Sequence, residues 1–155
     1  MRIADFELRN QRFGDPQSDI CYLLFAIRVF PMSNVQDFPY DTRLNVLHSA
    51  LEIIDEKKVS DASKPWFNQT LCQVNASVVR SGVIQGEYHW HKHANDDEFF
   101  YVVEGRLLID LEGRTVDLAP RQGFVVSKGV LHRTRALERT VILMVENAGI
   151  IPTGD

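Results

Sequence analysis

The chain reads as an all-β protein, a barrel or sandwich of short strands, preceded by a helix and an N-terminal arm. Three observations predict this. From about residue 71, short segments rich in β-formers alternate with compact turn signals. Glycine marks most of those turns, in Glu104-Gly105-Arg106, Glu112-Gly113-Arg114, Pro120-Arg121-Gln122-Gly123 and Lys128-Gly129. Finally, 155 residues with 45% hydrophobic content make one domain with enough apolar side chain for a sizeable core.

Residues 1–40 form the arm. Tyr22 to Phe30 is rich in β-formers and suits an extra strand stopped by Pro31. Met32 then opens a polar stretch, so either translation starts there or residues 1–31 belong to the fold as strand and arm. Residues 41–58 are expected to be a helix. Leu44, Leu47, Leu51 and Ile54 recur at spacings of three and four, which gives one apolar stripe. Asp41 suits the N-cap, and Lys57 and Lys58 suit the negative end of the helix dipole. Such a stripe packs on a core or a second subunit, and no chemistry is assigned to it.

Residues 71–155 form the barrel. Its expected strands are Leu71–Arg80, Ile84–His93, Glu98–Glu104, Leu107–Leu111, Thr115–Leu118, Gly123–Ser127, His132–Ala136 and Thr140–Glu146. In Glu98–Glu104, Phe100 and Val102 share a face with Glu98, while Phe99, Tyr101 and Val103 share the other. A strand apolar on both faces must be covered on both. The arm, the helix or a second subunit could cover the outer one, and a homodimer is expected.

Bulk properties exclude some partners. The net charge is −4 and basic residues are interspersed with acids, so neither nucleic acid nor an anionic membrane suits this surface. Cys21 and Cys72 lack CxxC spacing and read as reduced thiols of a cytoplasmic protein. The longest apolar stretch, Cys21 to Phe30, is too short to span a bilayer and is broken by Arg28.

The chemistry concentrates in Trp90-His91-Lys92-His93-Ala94-Asn95-Asp96-Asp97-Glu98, with His132 further along. On a strand, His91 and His93 leave the same face with Cβ atoms roughly 6–7 Å apart. That separation lets two rings reach one ion through bonds of about 2.1 Å. Glu98 follows at an odd offset, so Asn95-Asp96-Asp97 must turn the chain before the carboxylate can return. His89 shares the parity of the pair and reads as a further ligand, a donor behind the ligands or a rim residue, with the rim preferred. Trp90 alternates away, towards core or interface, while Tyr88, Phe100 and Arg133 are candidates to line or cap a pocket.

These residues resemble the cupin superfamily, in particular its small single-domain members. The first cupin signature, His-x-His, three or four residues, Glu, six residues, Gly, is met by His91, His93, Glu98 and Gly105. The second runs from Pro120 through Gly129 to His132, with Arg121 where relatives have Gly and Ser127 where they have Pro. Trp90-His91-Lys92-His93 and Pro152-Thr153-Gly154-Asp155 are also similar to small cupins. The resemblance covers residues 71–155 strongly, the helix weakly and residues 1–40 not at all. It implies a double-stranded β-helix, or jelly-roll barrel. It also implies one divalent transition metal (Fe, Mn, Ni, Co or Zn) on His91, His93, Glu98 and His132, with coordination positions left for a small-molecule ligand.

Three readings follow, since the fold hosts many functions. The first is a metal-dependent enzyme, oxygenase- or isomerase-like, acting on a small chelating molecule. The second is a non-catalytic metal- or metabolite-binding module, favoured if the pocket lacks a general base beyond His89 or Glu87. The third is a structural barrel with an incidental ion. Arg133 and Arg135 keep step with Leu131 rather than His132 and so point outside, which argues against a phosphate-bearing substrate.

Overall fold

The computed structural model describes residues 40–155, which carry eight strands and one short helix. In order they are β1 (Asp41–Arg43), α1 (Glu56–Asp61), β2 (Phe67–Val74), β3 (Ser77–Glu87), β4 (Glu98–Glu104), β5 (Leu107–Leu111), β6 (Arg114–Leu118), β7 (Gly123–Val126) and β8 (His132–Asn147). The expected extra strand at Tyr22–Phe30, Cys21 and the question of Met32 lie outside the described residues.

The long strand β8 organises the sheet. One of its edges pairs antiparallel with β3 from Glu87↔Arg135 to Ser77↔Asn147. Its other edge pairs first with β5 and then with β4. Beyond these lie β2 and β1 on one side and β7 on the other, while β6 closes a hairpin with β5. The expected strands His132–Ala136 and Thr140–Glu146 are therefore one element. Its pairing with β3 shifts between Ile84 and Gly86, and Leu137 is thrown out there, fully into solvent. The expected strand Leu71–Arg80 is two, split at Asn75, whose positive φ of 56° makes a hairpin turn. Only the Ile84–Glu87 part of Ile84–His93 lies in the ladder; the rest is tied to β8 by the Tyr88 N–H bond to the Thr134 carbonyl and by a bridge between His91 and His132.

The helix expected over residues 41–58 is not there. Asp41–Arg43 is a strand pairing in parallel with Phe67–Gln69. The next turn is held to β2 rather than to itself, with Leu47 N–H bonded to the Thr70 carbonyl and His48 N–H to that of Leu71. Leu44, Leu47 and Leu51 are exposed, and Leu51 has a φ of 69° that no helix interior accommodates. The helix that does form starts at Glu56, just after Asp55, whose carboxylate caps it by accepting the Lys58 N–H. Backbone pairing to the open edge of β2 outweighs a periodicity with nothing to pack against.

The main core fills the barrel interior with Ile84, Phe100, Val102, Leu107, Ile109, Ile142 and Met144. A smaller cluster of Phe67, Val83 and Val141 lies on the outer face beneath Val59 of α1. Gly105, the glycine of the first signature, turns at φ 83°, and a Cβ there would sit 2.4 Å from the Thr140 hydroxyl.

Candidate metal centre

Local backbone bonds build the site. His91 and His132 exchange N–H···O=C bonds of 2.9 Å, which fixes the two histidines side by side. The His93 carbonyl accepts the Gly129 N–H at 2.7 Å, so the second signature's glycine turn clasps the first signature's strand. Asp97 accepts the Lys128 N–H at 2.8 Å, closing the turn that returns Glu98 to the interior as the first residue of β4.

The result is a convergence of His91, His93, Glu98 and His132, all buried, each offering one ligand atom within 4.8 Å of the others. Glu98 Oε2 lies 3.4 Å from both His93 Nε2 and His132 Nε2. Ligand atoms on neighbouring positions of one ion, at bonds of about 2.1 Å, sit about 3–3.4 Å apart. Two rings have their orientation set from behind. His91 Nδ1 donates to the His89 carbonyl at 3.1 Å and His132 Nδ1 to the Val130 carbonyl at 3.0 Å, leaving both Nε2 lone pairs inward. Both nitrogens of His93, Glu98 Oε2 and His132 Nε2 are buried without a hydrogen-bond partner. An unsatisfied buried polar atom costs about 1–3 kcal/mol, so this cluster suits a cation that takes their lone pairs. Three imidazoles and a carboxylate fit Fe, Mn, Ni, Co or Zn.

Electrostatics agree with this arrangement. Burial, with His132 alongside, pushes the His91 imidazole down to about 3, so it stays neutral and able to ligate. Burial pushes the Glu98 carboxyl up, but the imidazoles of His132 and His93 outweigh it and hold the group at about 2. Burial likewise works against a charge on His93, and the Glu98 carboxylate overcomes it, raising His93 above the usual histidine range.

Above the cluster opens a partly enclosed cleft, lined mainly by aromatic and aliphatic side chains with a few polar groups, as small-molecule sites are. Tyr40, Trp66, Tyr88 and Phe100 form its aromatic walls, with Ile84, Ile142 and Met144 deeper in. Thr42, Asn68 and Thr134 add polar points. Tyr40 and Tyr88 stack with ring centroids 4.3 Å apart. His89 is not part of the convergence. Its ring lies against Tyr88, its Nε2 donates to the Thr153 carbonyl at 2.8 Å, and its Nδ1 is 3.5 Å from the Tyr40 hydroxyl.

Several sequence readings change. Trp90 is half-exposed beneath the Arg133 guanidinium rather than core. Arg133 and Arg135 do point outside the barrel, as their parity implies, and both grip Asp110 there; Glu87 binds Arg133 on the same side, so Arg133 does not cap the cleft and Glu87 does not face it. Tyr40 and Trp66 had no signal in the sequence, because only tertiary pairing of β1 and β2 brings them to the cleft. The interior also holds an ion pair of Arg80 with Glu146, Arg80 reaching on to Thr70 Oγ1 at 2.9 Å. Burial and the nearby Glu98 raise the Glu146 carboxyl to about 7 against the pull of Arg80. Parity could have found this pair, since Arg80 keeps step with Ile84 and Glu146 with Met144.

Comparison with known proteins agrees with the geometry. The family model described as "Cupin domain" matches residues 79–146. The uncharacterized protein YdbB of Bacillus subtilis is 39% identical over 105 residues, covering 67% of this chain and 88% of its own length. A cupin-2 domain containing protein from Shewanella frigidimarina superposes with a TM-score of 0.58 at 30% identity, over 61% of this chain and 94% of that one. The polyketide synthase CurC of Streptomyces cyaneus is 47% identical over 45 residues, 29% of each chain. With its motif spacing, its jelly-roll strands and these relatives, the chain belongs to the cupin superfamily.

Proposed function

We propose that this cupin holds one divalent transition metal on His91, His93, Glu98 and His132. We further propose that it acts on a small molecule that chelates the ion through oxygen atoms. The observation that carries the reading is the set of buried, unpartnered ligand atoms at the floor of an apolar cleft. When bound, the metal would polarise substrate oxygens and stabilise an enolate or bind dioxygen, which suits oxygenase- or isomerase-like chemistry. The chain's part is to orient and to exclude water. Tyr40, Trp66 and Tyr88 pack on one another as one aromatic wall against which a molecule would lie, and Thr134 and Asn68 would supply hydrogen bonds. Among the described residues no lysine or arginine lines the cleft, and Arg80 is committed to Glu146, so no phosphate is required. The likeness to a polyketide synthase is in keeping with this, because polyketide-type 1,3-dicarbonyls chelate metals as enolates.

A non-catalytic binding module is the second reading, and one observation favours it. Among the described residues, the ionisable groups lining the cleft apart from the proposed ligands are Tyr40 and Tyr88, and burial raises both phenols well above their ordinary value. Neither serves as a base at neutral pH. Loading the protein with iron or cobalt and adding a β-diketone, a catechol, a 2-oxo acid or a sugar phosphate tests the proposal. The first three should shift the metal's absorption. Stabilisation by the sugar phosphate alone would contradict it, and turnover of a chelator separates enzyme from binder.

The protein is further proposed to be a homodimer. Val125, Phe99, Val145, Val79 and Cys72 form one cross-strand row over the outer sheet face, with Val125 half-exposed.

A further inference from the structure

Each of the three imidazoles at the centre needs its Nδ1 held if Nε2 is to face inward. Two are held locally, by the carbonyl of the residue two positions earlier: His89 for His91, and Val130 for His132. His93 lacks that option. The equivalent carbonyl is that of His91, which already accepts the His132 N–H in the bridge. His93 Nδ1 is buried without a hydrogen bond, and the Asp155 carboxylate lies 3.8 Å from it.

Asp155 is fixed on both sides of His93. Its N–H donates to the Lys92 carbonyl at 3.2 Å, and its Oδ1 accepts the Ala94 N–H at 3.1 Å. Gly154, at φ +88°, lies so close that a Cβ would be 2.8 Å from His91 Cβ and 3.0 Å from the Lys92 carbonyl. Thr153 accepts the His89 ring N–H, and Pro152 accepts the Tyr88 hydroxyl at 3.3 Å. Residues 152–155 thus lie along Tyr88–Ala94, the stretch that carries two of the four converging side chains.

We propose that Asp155 is a positioning residue for the metal centre. Its carboxylate holds His93 with the proton on Nδ1 and Nε2 towards Glu98, and residues 152–155 keep the His91–His93 stretch in register. A carboxylate behind an imidazole fixes the tautomer and makes the ring a stronger donor than a carbonyl does. The proposal rests on the reading of the four residues as ligands.

The test compares wild type with Asp155→Asn, which keeps an acceptor for the Ala94 N–H but removes the charge. Zinc affinity is measured by titration, and the His93 tautomer by nitrogen NMR of the zinc-loaded protein. Wild type should show a protonated, deshielded His93 Nδ1. In Asp155→Asn that signal should move upfield and zinc affinity should fall ~10-fold or more. An unmoved signal, or affinity within about twofold of wild type, overturns the proposal, as does His93 ligation through Nδ1. Absence of zinc binding in wild type itself would instead remove the metal reading on which the proposal stands.

Discussion

Arg80 and Glu146 are charged residues in a barrel interior otherwise lined by Ile84, Phe100, Ile142 and Met144. A buried pair is tolerated only while both partners remain. Arg80→Met alone should therefore destabilise the protein by about 3–5 kcal/mol, and adding Glu146→Leu should recover most of it. Chemical denaturation of the two variants checks this, and equal loss in both would contradict it. Arg121 stands where most cupins have glycine and has a φ of 70°. Arg121→Gly should leave stability unchanged or raise it by up to about 1 kcal/mol, because relief of strain offsets the extra chain entropy. A clear loss would show that the Arg121 side chain matters in its own right. Motif comparison exposed that position, and the turn geometry supplies the reason.

The centre's titrations give the metal-free protein a distinctive pH dependence. His93 is raised above its ordinary 6.5, so its contribution is complete below 6.5 and is lost as pH rises through its folded value. Glu146, raised from 4.5 to about 7, likewise disfavours the fold as pH climbs between those values. In the other direction, His91 is lowered from 6.5 to about 3, so acid below 6.5 favours the unfolded chain. Glu98, lowered from 4.5 to about 2, adds to that loss below 4.5. The metal-free protein should be most stable between about pH 4.5 and 6.5 and weaken above it. Metal should reverse the alkaline trend, since protons no longer compete for the imidazoles. Thermal midpoints from pH 4 to 9, with and without zinc, measure both, and a metal-free midpoint that rises from pH 6 to 8 would contradict the account.

At the scale of elements, strands were legible where side-chain alternation is reinforced by turn glycines. Glu98–Glu104 and Leu107–Leu111 have the bounds the sequence suggests. The stretch Leu44–Ile54 was misleading because helical spacing of leucines signals a helix only when something covers the stripe. Here Leu47 and His48 spend their N–H groups on β2 and the leucines stay in solvent. His91, His93, Glu98 and His132 could be read as a candidate cluster because ligand spacing on strands is a local property. Tyr40, Trp66 and Asp155 could not be, because each reaches its place through contacts distant in sequence. Position His89 tests the parity argument: His89→Ala should keep near-stoichiometric metal, while loss comparable to His93→Ala would place His89 among the ligands. For the outer sheet face, Phe99→Glu should convert the proposed dimer to monomer in light scattering, and a monomeric wild type at micromolar concentration would refute the pairing.

For the molecule as a whole, the barrel holds four donors together while its interior strands exclude water from them. No helix among the described residues is long and apolar enough to cross a membrane. The fold's stability derives mainly from the interior cluster around Phe100, Val102, Leu107 and Ile142, not from the centre, so removing ligands should leave a folded protein. That separation makes one measurement decisive: metal content of freshly purified protein, wild type against the His91→Ala, His132→Ala double variant, with circular dichroism on both. The account predicts about one transition-metal ion per chain in wild type, almost none in the variant, and an unchanged β spectrum in both. Full occupancy in the double variant, or a metal-free wild type that takes up no metal when supplied with it, would contradict the account.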